Sequence, residues 1–150
     1  MTNLIHKSGD IFTTTAPAIG HGVNVHGVMG SGIAVQFRDR FPAMYEDYKV
    51  LCKKGSLKPG EMMPWEAKPG MYVYNIASQD APGPNARYEW LESGVKAALI
   101  HAAAHNISVI ALPRIASGVG GLNERDCELI LYNLAISSYV DIEIWTLPRG

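Results

Sequence analysis

The order in which two kinds of apolar pattern follow one another constrains the fold of this chain most strongly. Short apolar runs, typical of strands buried on both faces, are separated by longer segments in which apolar residues recur every three or four positions, as in helices. The predicted strands lie within residues 3–12, 17–25, 62–67, 71–78, 108–113 and 141–147, and the predicted helices within 31–41, 43–54, 87–105 and 123–137. Strands that alternate with helices favour a mostly parallel, right-handed α/β sheet covered on both faces.

Length and charge limit the organisation and the class of ligand. The 150 residues contain no repeat, low-complexity tract or long linker, so we expect a single domain over residues 1–150. The 13 Lys and Arg residues are scattered and balanced by 14 acids, for a formal net charge of -1. A protein that binds nucleic acid through its phosphates usually carries a basic stripe. We therefore expect no extended nucleic-acid surface.

Metal centres, disulfides and membrane segments are also not indicated. Cys52 and Cys127 are the two cysteines, and neither belongs to a metal-binding motif. The amino-terminal MTNLIHKSGD lacks the apolar core of a signal peptide, and no apolar run is long enough to span a bilayer. We expect a cytoplasmic, monomeric protein with reduced thiols, without metal, cofactor or membrane contact.

Two glycine-rich loops connect a predicted strand to a predicted helix, NVHGVMGSG at 24–32 and RIASGVGG at 114–121. In parallel sheets, ligands bind where such loops leave the carboxyl ends of strands. Glycines and the first N–H groups of a helix let the backbone approach a phosphate closely. Neither loop matches the dinucleotide-binding or P-loop pattern. Each loop alone could simply be a tight turn, but together they favour a diphosphate ligand.

Three segments, in this order, resemble the main motifs of macrodomains: SGDIF at 8–12, HGVNVHGVMGSGIAVQFRDRFP at 21–42 and LPRIASGVGG at 112–121. The resemblance implies a three-layer α/β/α fold with a central mixed, mostly parallel sheet and a site for ADP-ribose. The run MGSGIAVQF is similar to the compact branch that holds ADP-ribose-1''-phosphate phosphatases and terminal ADP-ribose glycohydrolases.

The resemblance also implies which residues contact ADP-ribose. Asp10 and the Ile11 N–H would hold the adenine, which Thr146 or Leu147 would border, and the two glycine-rich loops would surround the diphosphate and the distal ribose. The implied ligand-binding residues are Asp10, Ile11, Asn24, Gly30, Ser31, Gly32, Ile33, Ala34, Pro113, Ser117, Gly118, Val119, Gly120, Gly121 and Leu147.

This chain differs from the family pattern at the positions that carry out the reaction. Glycohydrolases of this branch use a lysine after the strand that corresponds to YVYNI and an aspartate in the second loop, whereas this chain has residues 77–79, Ala-Ser-Gln, and Gly120. The implied function is therefore phosphate removal from ADP-ribose-1''-phosphate or hydrolysis of a related derivative. Two alternatives are an ADP-ribosyl hydrolase that acts on modified protein or nucleic acid without a catalytic lysine, and a module that only binds ADP-ribose.

Three polar residues are candidates for the catalytic chemistry. Asn24 could orient the ribose or a water molecule, and His26 or Asp80 could exchange a proton with the leaving oxygen. His26 could instead bond only to the loop backbone, and Asp80 could be a turn residue. His21 is expected to be a hydrogen-bonded structural residue of a buried strand, and Trp145 to belong to the apolar core.

Overall fold

The computed structural model describes residues 3–147, which form one six-stranded sheet flanked by helices. The strands are β1 Leu4–Ser8, β2 Ala18–Gly22, β3 Met62–Lys68, β4 Met71–Ile76, β5 Val109–Pro113 and β6 Asp141–Thr146. The helices are α1 Ala34–Arg40, α2 Pro42–Lys53, α3 Tyr88–Ala104 and α4 Glu124–Ile136, with a 3-10 turn at Ile11–Thr13. The strand order is β1-β6-β5-β2-β4-β3, and only the β3–β4 pair is antiparallel.

Apolar clusters on the two faces of the sheet hold the helices in separate layers. On one face, Phe37 of α1 and Met44 of α2 pack against Val73 of β4. On the other face, Leu91 of α3 and Leu131 of α4 belong to a cluster that includes buried strand residues of β4, β5 and β6. The predicted three-layer architecture with a mixed, mostly parallel sheet is confirmed. No helix within residues 3–147 is long and apolar enough to cross a membrane.

Every predicted strand and helix segment contains an element of the predicted type, and the differences lie at the boundaries. β2 ends at Gly22, three residues before the end of its predicted segment, because the chain then leaves the sheet and the Val25 N–H donates to the Asp80 carbonyl at 2.9 Å. α4 begins where predicted, because the Asn123 side chain accepts a hydrogen bond from the Asp126 N–H and caps the helix.

His21 lies in β2 at the centre of the sheet, fully buried. Its Nε2 is 2.7 Å from Asn75 Oδ1, and its ring stacks on Phe37 with 3.9 Å between the ring centroids. The expectation of a hydrogen-bonded structural histidine is confirmed. Burial disfavours the charged imidazole and lowers the pKa of His21 from 6.5 to about 4.

This depressed pKa predicts a pH-dependent stability. Between pH 6.5 and about 4, the unfolded chain binds a proton at His21 that the folded chain does not bind, so the free energy of unfolding falls as the pH falls. The contribution approaches about 1.4 kcal/mol per pH unit. Urea unfolding at several pH values should show this slope in the parent and a shallower one in His21→Gln, whose side chain does not titrate. Equal slopes in both proteins would contradict the assignment.

Candidate active site

A cleft opens at the carboxyl ends of the central strands, where the two glycine-rich loops leave the sheet. It consists of a larger cavity of about 420 Å³ and a smaller one of about 290 Å³. The two cavities have wall residues in common, among them Gly22, Ser31 and Val119. They are therefore two parts of one binding site, at the edge where ligands bind in parallel α/β sheets.

The Asn24 side chain fixes the first glycine-rich loop through hydrogen bonds to the loop backbone. Its Oδ1 accepts a hydrogen bond from the His26 N–H at 2.9 Å, and its Nδ2 donates to the Val28 carbonyl at 2.8 Å. The buried Tyr48 hydroxyl lies 2.6 Å from the Asn24 carbonyl and 3.0 Å from its Oδ1, within reach of donating to either. Because burial raises the pKa of Tyr48 far above its usual value, this hydroxyl stays protonated and remains a donor. These contacts fix the course of the loop from Asn24 to Val28.

The upper part of this loop presents free backbone donors. The N–H groups of residues 30–34 make no hydrogen bond to any described residue, and all five residues line the cleft. Gly32 has a φ of +62°, a conformation that side-chain-bearing residues rarely adopt. These unpaired donors immediately precede or begin α1, so the arrangement suits an anion.

The second loop supplies a matching set of donors. The N–H groups of residues 116–120 likewise form no hydrogen bond within the described part of the chain. Gly120 allows this close folding, because a Cβ there would lie 2.6 Å from the Ala116 carbonyl oxygen. The Val119 side chain approaches the first loop, 3.4 Å from where a Cβ on Gly32 would lie. The two glycine-rich loops consequently approach each other at the cleft.

Asp10, Ile11 and Trp145 surround the far end of the larger cavity. Asp10 Oδ1 accepts a hydrogen bond from the Phe12 N–H at 2.9 Å, whereas the Ile11 N–H makes none to a described residue. The half-buried Trp145 packs against a small core cluster, as predicted, at the carboxyl end of β6. The prediction did not include its second contact, because the ring also forms part of the cavity wall.

Nearly all the predicted ligand-binding residues come together in this cleft. The exceptions are Ser117 and Gly121, which line neither cavity. Ser117 Oγ donates to the Arg114 carbonyl at 3.2 Å, and Gly121 packs so closely on Pro84 that a Cβ there would lie 2.8 Å away. Both residues support the second loop from its outer side.

His26 and Asp80 form a pair beside the smaller cavity. His26 Nε2 lies 3.4 Å from Asp80 Oδ1, and the side chains are 52% and 57% exposed. The Asp80 N–H is bonded to Asn85 Oδ1 at 2.9 Å, which fixes the loop that carries the carboxylate. Neither residue lines a cavity wall, but His26 follows the wall residue Asn24 by two positions and Asp80 directly follows the wall residue Gln79, which puts the pair at the rim. Two ionisable groups in contact at this position are able to pass a proton to a bound molecule.

The sequence reasoning missed several wall residues. Gly22 is the last residue of β2, and Ser78 comes two residues after the neighbouring strand β4. Ser78 Oγ is buried without a hydrogen-bond partner among the described residues. Gln79 lines both cavities and donates to the Ala81 carbonyl at 2.7 Å. Their position directly at strand ends was the signal that could have identified them.

Arg114 is the one Lys or Arg residue in the described walls of the two cavities. Its guanidinium donates to Glu128 and to Thr146 and lies 3.4 Å from Glu124, so its charge is already balanced. A negative ligand group would therefore meet backbone N–H groups rather than a free cation. Within residues 3–147, no group of three or more His, Cys, Asp or Glu side chains is placed to hold a metal ion.

Comparison with known proteins identifies the family. The Macro domain family model matches residues 21–131, so the chain belongs to this family, as the motifs predicted. The macrodomain of Mycobacterium tuberculosis DarG has the same fold, with a TM-score of 0.88, 27% identity and complete coverage of both chains.

Two curated relatives carry names of enzymes. A DNA ADP-ribosyl glycohydrolase of Thermus aquaticus is 27% identical over 140 residues, which are 91% of this chain and 39% of that protein. The chain thus spans about two fifths of the length of this relative. An ADP-ribose 1''-phosphate phosphatase of Candida albicans is 42% identical over 53 residues, 32% of this chain and 34% of that protein.

Two glycines of the second loop, Gly118 and Gly120, provide a matched test of how closely this loop is packed. Gly120→Ala would force its Cβ against the Ala116 carbonyl oxygen and should destabilise the protein by about 1–3 kcal/mol. Gly118→Ala adds a Cβ with no atom within 4 Å and should change the free energy of unfolding by less than about 0.5 kcal/mol. Urea unfolding measures both values, and equal effects would show that the loop is not packed as described.

Proposed function

We propose that this macrodomain is a hydrolase of ADP-ribose derivatives and that its leading reaction removes phosphate from ADP-ribose-1''-phosphate. The names of the relatives support the ligand class, since each acts on an ADP-ribosyl compound. The shape of the cleft supports it too, because an elongated ligand would extend through the larger cavity into the smaller one.

The residues of the cavity walls indicate where each part of the proposed ligand binds. The adenine lies beside Asp10 and the free Ile11 N–H, and the diphosphate lies between the unpaired N–H groups of residues 30–34 and 116–120. Backbone donors at a helix start stabilise phosphate oxygens without a basic side chain. The distal ribose then occupies the smaller cavity beside Asn24.

The observation that carries the proposed reaction is the contact of His26 with Asp80 at the rim of the smaller cavity. A water oxygen attacks phosphorus, the bond between phosphorus and the anomeric oxygen breaks, and the products are ADP-ribose and inorganic phosphate. The leaving oxygen needs a proton, which the His26–Asp80 pair supplies. The attacking water loses a proton to the same pair, which restores its initial state.

Asn24 acts in this scheme as a donor rather than as a base. Its Oδ1 already accepts hydrogen bonds from within the loop, and one Nδ2 hydrogen is used by the Val28 carbonyl. The second Nδ2 hydrogen is bonded to no described residue and is available to a ribose hydroxyl or a water molecule. Asn24 therefore orients a reacting group while it fixes the loop.

A lysine-adduct route has no residue to carry it. No lysine is present in the described walls of the two cavities. Ser78 and Gln79 occupy the wall after β4, and Gly120 has no room for an aspartate, because even a Cβ would meet the Ala116 carbonyl oxygen. This favours proton transfer by His26 and Asp80 over covalent catalysis by an amine.

A second candidate function is removal of ADP-ribose from a modified macromolecule. The exposure of His26 and Asp80, 52% and 57%, leaves room at the rim for a bulky group linked to the distal ribose. The similarity to a DNA ADP-ribosyl glycohydrolase covers 91% of the chain, which points in the same direction. A module that binds ADP-ribose without turnover is the remaining alternative, because the cleft is preformed and needs no catalytic group to bind.

The catalytic pair is tested by conservative substitutions. His26→Gln and Asp80→Asn should each lower the rate of phosphate release from ADP-ribose-1''-phosphate by about 10²–10⁴-fold, because proton transfer is lost. Affinity for ADP-ribose, measured by calorimetry, should remain within a few fold of the parent value. His105→Gln, an exposed change at the end of α3, is the matched control and should keep full activity.

The products separate the candidate functions. Mass spectrometry of the parent protein with ADP-ribose-1''-phosphate and with ADP-ribosylated DNA shows whether phosphate or free ADP-ribose is released. Recovery of both compounds unchanged despite binding would leave the binding module as the function. Full activity of both His26→Gln and Asp80→Asn would contradict the assigned roles even if phosphate is released.

A further inference from the structure

A second groove lies at the amino end of β4, at the opposite end of the sheet from the cleft. Its volume is about 490 Å³, and it is open to solvent. The principal lining residues are Arg40, Phe41, Pro42, Trp65, Lys68 and Met71. Nothing in the proposed hydrolase reaction uses these residues.

The floor of the groove is aromatic and held in place. Phe41 and Trp65 meet edge to face, with 6.1 Å between ring centroids and 63° between ring planes. The Trp65 indole N–H donates to Asp47 Oδ2 at 3.0 Å, which fixes the indole. Met71 is 40% exposed and adds a flexible apolar side chain at the edge. The groove thus presents a fixed surface on which a planar ring can stack.

The charged residues that line the groove are both cations. Arg40 and Lys68 form no ion pair with any described residue, in contrast to Arg38, which is paired with Asp39 at 3.2 Å. The Arg40 guanidinium is positioned 4.0 Å from the centroid of the Phe12 ring, which holds it while leaving its N–H groups unpaired. Two free cations beside an aromatic floor complement a ligand that has planar rings and negative charge.

We propose that this groove binds single-stranded nucleic acid, with a base against Trp65 and Met71 and adjacent phosphates at Arg40 and Lys68. Aromatic stacking combined with cations along an open groove is the usual means of binding single strands without sequence preference. The scattered and balanced charges of the chain argue against an extended basic stripe. A local site with two cations is compatible with that charge distribution. Binding through two phosphates is modest in affinity and sensitive to salt.

The same surface is poorly suited to an extended peptide. β3 is an edge strand, so a peptide could add to the sheet only through the free backbone of β3. Pro64 lacks a backbone N–H, and the register of β3 shifts between Glu66 and Lys68. These two features interrupt the row of hydrogen bonds that peptide addition requires.

Fluorescence anisotropy of a labelled oligothymidine of eight nucleotides, titrated with the full chain, tests the proposal. The logarithm of the association constant should fall with the logarithm of the salt concentration with a slope of about -1.4, as expected for two neutralised phosphates. The double variant Arg40→Gln/Lys68→Gln should weaken binding at least tenfold at low salt and flatten this dependence. Trp65→Leu should weaken binding at least fivefold through lost stacking.

A matched control removes the same charge elsewhere. Lys53→Gln/Lys54→Gln, at the far end of α2, should leave the affinity for oligothymidine within twofold of the parent. Saturating ADP-ribose should not displace the oligonucleotide, because the cleft is at the other end of the sheet. Any of four results would overturn the proposal: no binding, an equal loss in the control, displacement by ADP-ribose, or equally tight binding of a tyrosine-containing polyglutamate peptide.

Discussion

The hydrogen bonds between Tyr48 and Asn24 are the interaction on which the candidate active site depends most. A buried phenol on α2 reaches the first residues after β2 and holds the Asn24 backbone and side chain together. Because Asn24 in turn bonds to the His26 N–H and the Val28 carbonyl, this contact fixes the first half of the loop, from Asn24 to Val28. The following N–H groups, those of residues 30–34, bond to no described residue and face the cleft.

In the proposed mode of binding, these backbone donors take the place of positive side chains in the cleft wall. Backbone N–H groups supply directed partial positive charges to an anion without any cationic side chain. Arg114, the cation of the described cleft wall, is already engaged by Glu128, Glu124 and Thr146 and so supports the second loop. The scarcity of free cations in the described cleft wall and the glycine-rich loops are therefore two aspects of the same proposed mode of binding.

The elements of the fold were predictable because each depends on local periodicity, and the glycine-rich loops because their composition is unusual. The contacts within the site were less predictable. The contact of His26 with Asp80 joins residues 54 positions apart and depends on β2 lying beside β4. Trp145 has the apolar character of a core residue. It also reaches the cleft, because it lies near the carboxyl end of β6, which the sequence pattern alone does not show. The outward position of Ser117 likewise follows from loop packing that composition does not encode.

We expect the two sets of backbone donors, at residues 30–34 and 116–120, to hold the diphosphate of an ADP-ribose compound. The most direct measurement is a titration of isotopically labelled protein with ADP-ribose, followed through the NMR signals of the backbone amides. Large, saturable shifts are expected for residues 30–34 and 116–120, while the amides of Arg40, Trp65 and Lys68, in the groove at the other end of the sheet, should stay unchanged. Saturable binding that leaves the amides of both glycine-rich loops unshifted would contradict it.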